Sequence, residues 1–415
     1  MKFFKLFLFS LILFFSATIY KVFNETTKYH KLAIANIEQD IKNLEFFPLK
    51  SDSPNSYVGT SRDSYIYLRH AYSIYLNSKP YNCYRPQTGY IYYPFLILFN
   101  KFFIIAILFF NSFIFSFCLT YLIWTINNKN LLKSVLIIIL IFLMTYNQVP
   151  MIMLEPIASS ILMLSISFYL KKRNYLSALT LFLGSLIRGE IMYILLLFTI
   201  FLLVLKNFRQ FIFSFLLLSI VVIFYSLLNK CTDQSNFYYW ALANYYAQKN
   251  RINYEKSREI VINICKTKSF SGLFNCTSCY KCFKENLINE IKNNPKFSLK
   301  LAFKNFIYNM KFLVLPLEKY KGKLKTFLTL FFSVIYLIWF FLILISIPRS
   351  DKFIIVLFIS LVLSYYLYFI FGGFGFPRFK IMTLPFEIYF VLKTLSDNQF
   401  QLYKYFPFFH QKQIN

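Results

Sequence analysis

The sequence predicts an all-α polytopic membrane protein with about ten transmembrane helices and two large outer segments carrying interfacial helices. Three observations predict it. The 415 residues are 58% apolar, with 54 Phe and 33 Tyr, well above the ~45–50% of ordinary soluble domains. The excess is gathered in uncharged blocks of about 17–23 residues, the length a helix needs to cross ~30 Å of hydrocarbon. Lys and Arg then recur in alternate short connections. A soluble enzyme would have nowhere to hide such surface, and 9 Gly with 13 Pro exclude a low-complexity chain.

The first block, 3–20, follows Lys2 and includes Lys5; no A-x-A-like site comes after it, so it reads as an uncleaved anchor rather than a signal peptide. Further blocks lie near 102–125, 134–146, 154–170, 175–188, 190–205, 210–228, 326–347, 353–371 and 380–395. The stretch 175–205 could be one bent helix. It reads as a pair because Arg188-Gly189-Glu190 is an expensive triplet to hold at mid-bilayer. Three regions follow: an N-terminal transmembrane module over 1–228, with its first outer loop at 21–101, a cysteine-containing outer segment at 229–325, and C-terminal helices with a short cytoplasmic tail at 326–415.

Orientation comes from the basic residues. With the N-terminus inside, inner connections hold Lys129 and Lys133, then Lys171, Lys172 and Arg173, then Lys206 and Arg209, then Arg349 and Lys352, while the outer connection near 146–155 holds none. Both termini are therefore expected in the cytoplasm. Arg188, Arg378 and Lys380 break the rule on the outer side. The outer segments, with Trp240, many Tyr and apolar runs such as 299–316, should fold against the membrane as short interfacial helices. No repeat of 20–50 residues and no pair of matching broken helices is visible, which weakens a secondary transporter.

Forty-five Lys+Arg against 17 Asp+Glu give a net charge of +28. In a soluble chain that would suggest nucleic acid; here topology, anionic lipids or phosphate ligands, and the Lys- and Asn-rich usage of an AT-rich genome account for it, and no nucleic-acid partner is expected. Six of the seven cysteines, Cys83, Cys231, Cys265, Cys276, Cys279 and Cys282, fall in the outer segments. In an oxidising space they suggest up to three disulfides, with fifteen pairings open. A metal or iron–sulfur site at Cys276-x-x-Cys279-x-x-Cys282 is the competing reading, and would need a fourth ligand and a reducing compartment.

With so few acids, those near the outer face stand out. Asp63 opens a helical pattern in which Tyr67, His70 and Ile74 recur, where it or Ser61 could simply cap the helix. Glu155, just before Pro156, could likewise serve a helix start through the dipole. Arg188 could pair with Glu190 and Arg378 with Glu387. An Arg at headgroup depth outside the positive-inside loops is also well placed to grip a phosphate bidentately.

The order of these pieces resembles the GT-C membrane glycosyltransferases, the superfamily of protein O-mannosyltransferases and lipid A aminoarabinose transferases. One helix is followed by a large outer loop with an Asp before a Tyr-rich helix, then by Tyr93-Pro94-Phe95-Leu96. Leu154-Glu155-Pro156-Ile157 looks like their acidic turn, Leu186-Ile187-Arg188 is similar to their small-x-x-Arg helix end, and Pro377-Arg378-Phe379 with Leu384-Pro385 resembles their last helix. The resemblance implies transfer of a sugar from a polyprenyl-phosphate donor to an acceptor hydroxyl on a glycolipid, polysaccharide or protein, with inversion at the anomeric carbon. It makes Asp63 the general base, and gives the donor phosphate to Arg378, Arg188 and Lys380. Glu155, with Tyr65, His70 and Tyr93, would hold the donor sugar or acceptor. It implies a bacterial inner membrane with the site facing the periplasm, and leaves room for a divalent metal without supplying a dedicated cage. The alternatives are a polysaccharide polymerase or ligase using lipid-linked sugars, and a lipid-linked saccharide flippase or transporter.

Overall fold

The computed structural model describes residues 2–29, 62–77, 87–127, 130–146, 148–151, 154–228, 234–265, 277–310, 322–372 and 377–396. Those residues form sixteen α-helices and no strand. Each of the ten apolar blocks becomes one helix: α1 (Lys2–Tyr29), α4 (Phe103–Ile126), α5 (Leu131–Thr145), α6 (Leu154–Leu170), α7 (Asn174–Ile187), α8 (Gly189–Val204), α9 (Phe208–Leu228), α14 (Gly322–Ser346), α15 (Lys352–Gly372) and α16 (Pro377–Ser396). The outer segments supply the rest: α2 (Arg62–Asn77) and α3 (Gln87–Phe99), then α10 (Gln234–Asn250), α11 (Tyr254–Ile264), α12 (Thr277–Asn293) and α13 (Pro295–Met310).

Among the described residues, three stretches are long and apolar enough to cross a membrane: Lys2–Phe23, Gln87–Ile126 and Phe208–Leu227. The second joins α3 to α4 through a 3-10 turn at Asn100–Phe102, where Asn100 takes φ 45°. The stretch 21–101, expected as the first outer loop, therefore holds α3, and α4 begins just past its end. Leu131–Thr145, Leu154–Leu170, Asn174–Ile187, Gly189–Val204, Leu337–Arg349 and Lys352–Leu363 are shorter apolar helices.

The helix ends have local causes. The Asn130 side chain accepts from the Lys133 amide at 3.0 Å to start α5, and Asp351 accepts from the Phe353 and Ile354 amides to start α15. α6 and α8 end the same way. Lys172 and Lys206 sit at φ 58° and 56°, and the following amides of Arg173 and Asn207 reach back to the Phe168 and Leu202 carbonyls. Glycine would fit these positions with less strain, but lysine sets a positive charge at the negative end of each helix dipole.

These basic connections gather at one end of the bundle. Lys171 Nζ bonds the Tyr121 hydroxyl, Phe3 packs edge-on to Tyr121, Tyr169 donates to Asp351, Phe201 stacks on Phe353, Asn174 bonds Gln210, and Lys133 Nζ reaches the Leu395 carbonyl. The core between the two ends is aromatic and aliphatic: Phe14 meets Phe115 and Phe142, and Leu162, Leu181, Phe198 and Phe390 fill the middle. Outside it, Ile212, Phe215, Leu216, Ile220 and Ile223 of α9, with Leu337, Ile338 and Phe341 of α14, are exposed. Apolar belts of this extent are stable only against lipid or another protein.

Helices α10–α13 build a second, smaller core around Tyr239, Leu242, Tyr245, Val261, Phe283 and Leu287. Its polar edge is tied at Glu290, which accepts from Tyr246 and Lys249; burial and that carboxylate push the Tyr246 hydroxyl up to about 12. A disulfide joins Cys265 to Cys282. A sulfur so bonded is no metal ligand, which removes Cys282 from the iron–sulfur reading. Cys83, Cys231 and Cys276, and the Cys279 side chain, lie outside the described residues. This cap packs through α10 and α13 on α15.

Candidate functional site

At the end opposite the basic connections, the α7–α8 junction is a single extended residue, Arg188, at φ −135° and ψ 119°. The reversal is tight because Gly184 has no side chain: a Cβ there would lie 2.9 Å from Ile191 Cδ1 and 3.1 Å from Ile161 Cγ2. α9 braces the turn where the Tyr225 hydroxyl donates to the Ser185 carbonyl at 2.7 Å.

The Arg188 side chain points inward and is 1% exposed. Its Nη1 donates to Glu155 Oε1 at 2.7 Å, while Nη2 and Nε form a fork on Glu190 at 2.7 and 3.1 Å. Glu155 is as buried as the arginine, at the start of α6 where the dipole favours an anion; Glu190 is 30% exposed. One guanidinium therefore organises two carboxylates, one sealed and one reachable. Removing two or three charges from water costs several kcal/mol per ion before pairing offsets it, so such a cluster is poor evidence for stability and better evidence for function.

Two buried hydroxyls lie near Glu155. Ser159, one turn past Glu155, is fully buried and its Oγ makes no hydrogen bond among the described residues. Asn111 donates to the Met151 carbonyl at 2.6 Å. Tyr92 is fully buried, its ring 6.3 Å from that of Tyr67; its hydroxyl makes no hydrogen bond among the described residues and feels the Glu155 carboxylate. A hydroxyl taken from water without a compensating bond is a standing cost.

Helices α2 and α3 roof this end. Tyr67, Leu68, Ala71 and Tyr72 pack with Tyr92, Leu96 and Phe103, and with Leu154 and Ile187 beside the ion cluster. The two helices approach closely at Gly89, where a Cβ would lie 2.6 Å from His70 Cβ and 2.9 Å from its backbone.

The sequence-derived site residues separate accordingly. Glu155 and Arg188 come together, 33 positions apart in the chain. Arg188, expected on the donor phosphate, has its guanidinium engaged by two carboxylates, and its pairing with Glu190 is present. His70 is buried at the α2–α3 contact, and Tyr93 is half-buried beside the fully buried Tyr92. Asp63 and Tyr65 lie in the first turn of α2, and Arg378 and Lys380 in the first turn of α16; their side chains lie outside the described residues. Glu387, the expected partner of Arg378, accepts from Trp339 Nε1 at 3.1 Å and Thr383 Oγ1 at 2.8 Å. Among the described residues no group of three or more His, Cys, Asp or Glu is placed to hold a metal.

Tyr92 and Ser159 were not singled out by sequence. Ser159 had a readable signal, its spacing of four from Glu155 on a helix. Choosing Tyr92 over Tyr93 needed the packing of α2.

No family model, curated protein or solved structure matches this chain.

Proposed function

We propose that the chain is a multi-pass membrane glycosyltransferase, moving a sugar from a polyprenyl-phosphate carrier to an acceptor hydroxyl on the outer side of the membrane. The observation that carries the reading is the largely buried Glu155–Arg188–Glu190 cluster, with the Tyr92 and Ser159 hydroxyls near Glu155, beneath a helix whose first turn holds Asp63. Helix length supports a recessed site. α5 to α8 have 15, 17, 14 and 16 residues, or about 21–26 Å at 1.5 Å per residue, short of ~30 Å of hydrocarbon. If their basic ends lie at the cytoplasmic boundary, the ion cluster sits below the outer one, at the depth of a recessed site. All ten apolar helices then lie in the bilayer, with α5 to α8 stopping short of its outer face and α2, α3 and the α10–α13 cap outside.

In this scheme the Asp63 carboxylate takes the proton of the acceptor hydroxyl as its oxygen bonds to the anomeric carbon. The bond from that carbon to the carrier phosphate breaks with inversion, and its electron pair leaves on the phosphate. A positioned base contributes ~10²–10⁴-fold. Arg378 and Lys380 stabilise the developing charge. Glu190, the reachable carboxylate, holds a sugar hydroxyl, and Arg188 with the sealed Glu155 positions it.

Purified protein with a radiolabelled polyprenyl-phosphate sugar tests the reading. Asp63→Asn keeps shape and any cap hydrogen bond but loses proton acceptance, so transfer should fall by orders of magnitude while expression and donor binding persist. If Asp63 only caps α2, Asn serves nearly as well and activity stays. Movement of the intact lipid without release of its sugar would instead identify a flippase.

A further inference from the structure

Helix α13 inverts the usual pattern of a soluble helix. Its covered side carries Ser298, Leu301, Ala302 and Asn305. Its open side carries Leu299, 74% exposed, and Phe303, 62% exposed, four residues apart in one row, with Lys296, Lys300 and Lys304 exposed in the row beside them. The helix has no acid to pair these lysines. Lysines at successive spacings of four repel along the helix, and among the described residues the one side-chain bond they make is from Lys304 Nζ to the neutral Gln248 amide oxygen. Two large apolar groups beside unneutralised cations form an uncomfortable surface in water and a well-matched one at a layer that is apolar below and anionic above. α13 also packs on α15, whose Val356, Ile359 and Leu363 continue the exposed apolar belt.

We propose that the open face of α13 docks on the anionic headgroup layer of the outer leaflet, with Leu299 and Phe303 among the upper acyl carbons and Lys296, Lys300 and Lys304 on lipid phosphates. The proposal rests on the membrane placement given above. Docking would hold the α10–α13 cap against the bilayer.

The test uses the full chain in nanodiscs of zwitterionic lipid alone or mixed with anionic phospholipid, with hydrogen exchange read over 295–310. Anionic lipid should slow exchange there by roughly tenfold or more, leave α11 unchanged, and lose its effect in the triple variant Lys296→Gln, Lys300→Gln, Lys304→Gln. Leu299→Ser with Phe303→Ser should raise exchange in both lipids. Equal exchange in the two lipids overturns the docking, as does slowing that follows the number of chains per disc, which would make the face a contact between copies. A chain that fails to insert in either disc would overturn the membrane placement, and the docking with it.

Discussion

Arg188 is the residue on which the buried end depends. Its guanidinium serves Glu155 and Glu190 at once, so replacing it by methionine leaves two carboxylates adjacent and unneutralised. Arg188→Met should cost ~3–5 kcal/mol, read as a lowered midpoint of thermal unfolding in detergent. Arg188→Lys should recover only part, because an ammonium cannot present a fork to one acid and a separate donor to another. An unchanged midpoint in Arg188→Met would mean the cluster contributes nothing to the fold. Tyr92 gives the opposite contrast. Its hydroxyl is buried without a hydrogen bond among the described residues, so Tyr92→Phe removes an unsatisfied group and should raise stability by ~1 kcal/mol. If that hydroxyl meets a sugar, the same change lowers transfer. A variant that is both more stable and fully active would take Tyr92 out of the site.

Between elements, the critical contact is α2 on α3. Asp63 lies one turn before Tyr67 in α2, and Tyr67, Leu68, Ala71 and Tyr72 hold that helix down. The approach is so close at Gly89 that a methyl group would strike His70 and Ile74 at 2.6 and 2.7 Å, with the His70 backbone at 2.9 Å. Backbone cannot swing aside as a side-chain tip can. Gly89→Ala should therefore lift α2 while leaving the rest of the bundle intact: limited proteolysis should open sites in 62–77, and transfer should fall with little change in the main unfolding transition. An alanine variant with wild-type proteolysis would show that the two helices adjust in register instead. The α7–α8 reversal is built on the same device, with Gly184 against Ile191 and Ile161.

For the whole molecule, one end is basic and carries the short connections, and the other carries the ion cluster beneath α2 and α3. On the positive-inside rule the basic end is the one expected in the cytoplasm. Membrane-impermeant thiol reagent applied outside intact cells should label Cys265 and Cys282 only after reduction of their bond, Cys118 should stay unlabelled in the buried face of α4, and a C-terminal reporter should behave as cytoplasmic. Labelling of the two cysteines only in broken membranes would turn the molecule over and place the ion cluster inside.

Much of the architecture was legible because burial in lipid and in a bundle writes itself locally. Ten predominantly apolar blocks forecast ten helices, and Lys171-Lys172-Arg173 and Lys206 marked the ends where a helix dipole and a basic surface both favour cations. The acids and the arginine on the outer side were legible as exceptions, since charge near hydrocarbon is rare without cause. Their partnership was not. Glu155 and Arg188 meet only because α6, α7 and α8 pack face to face through Gly184 and the Ser165–Ser177 contact, and Tyr92 rather than Tyr93 turns inward only because α2 covers that side of α3. Periodicity along a helix says which residues share a face. Which neighbour that face meets depends on contacts distant in sequence, and those exist only once the bundle has closed.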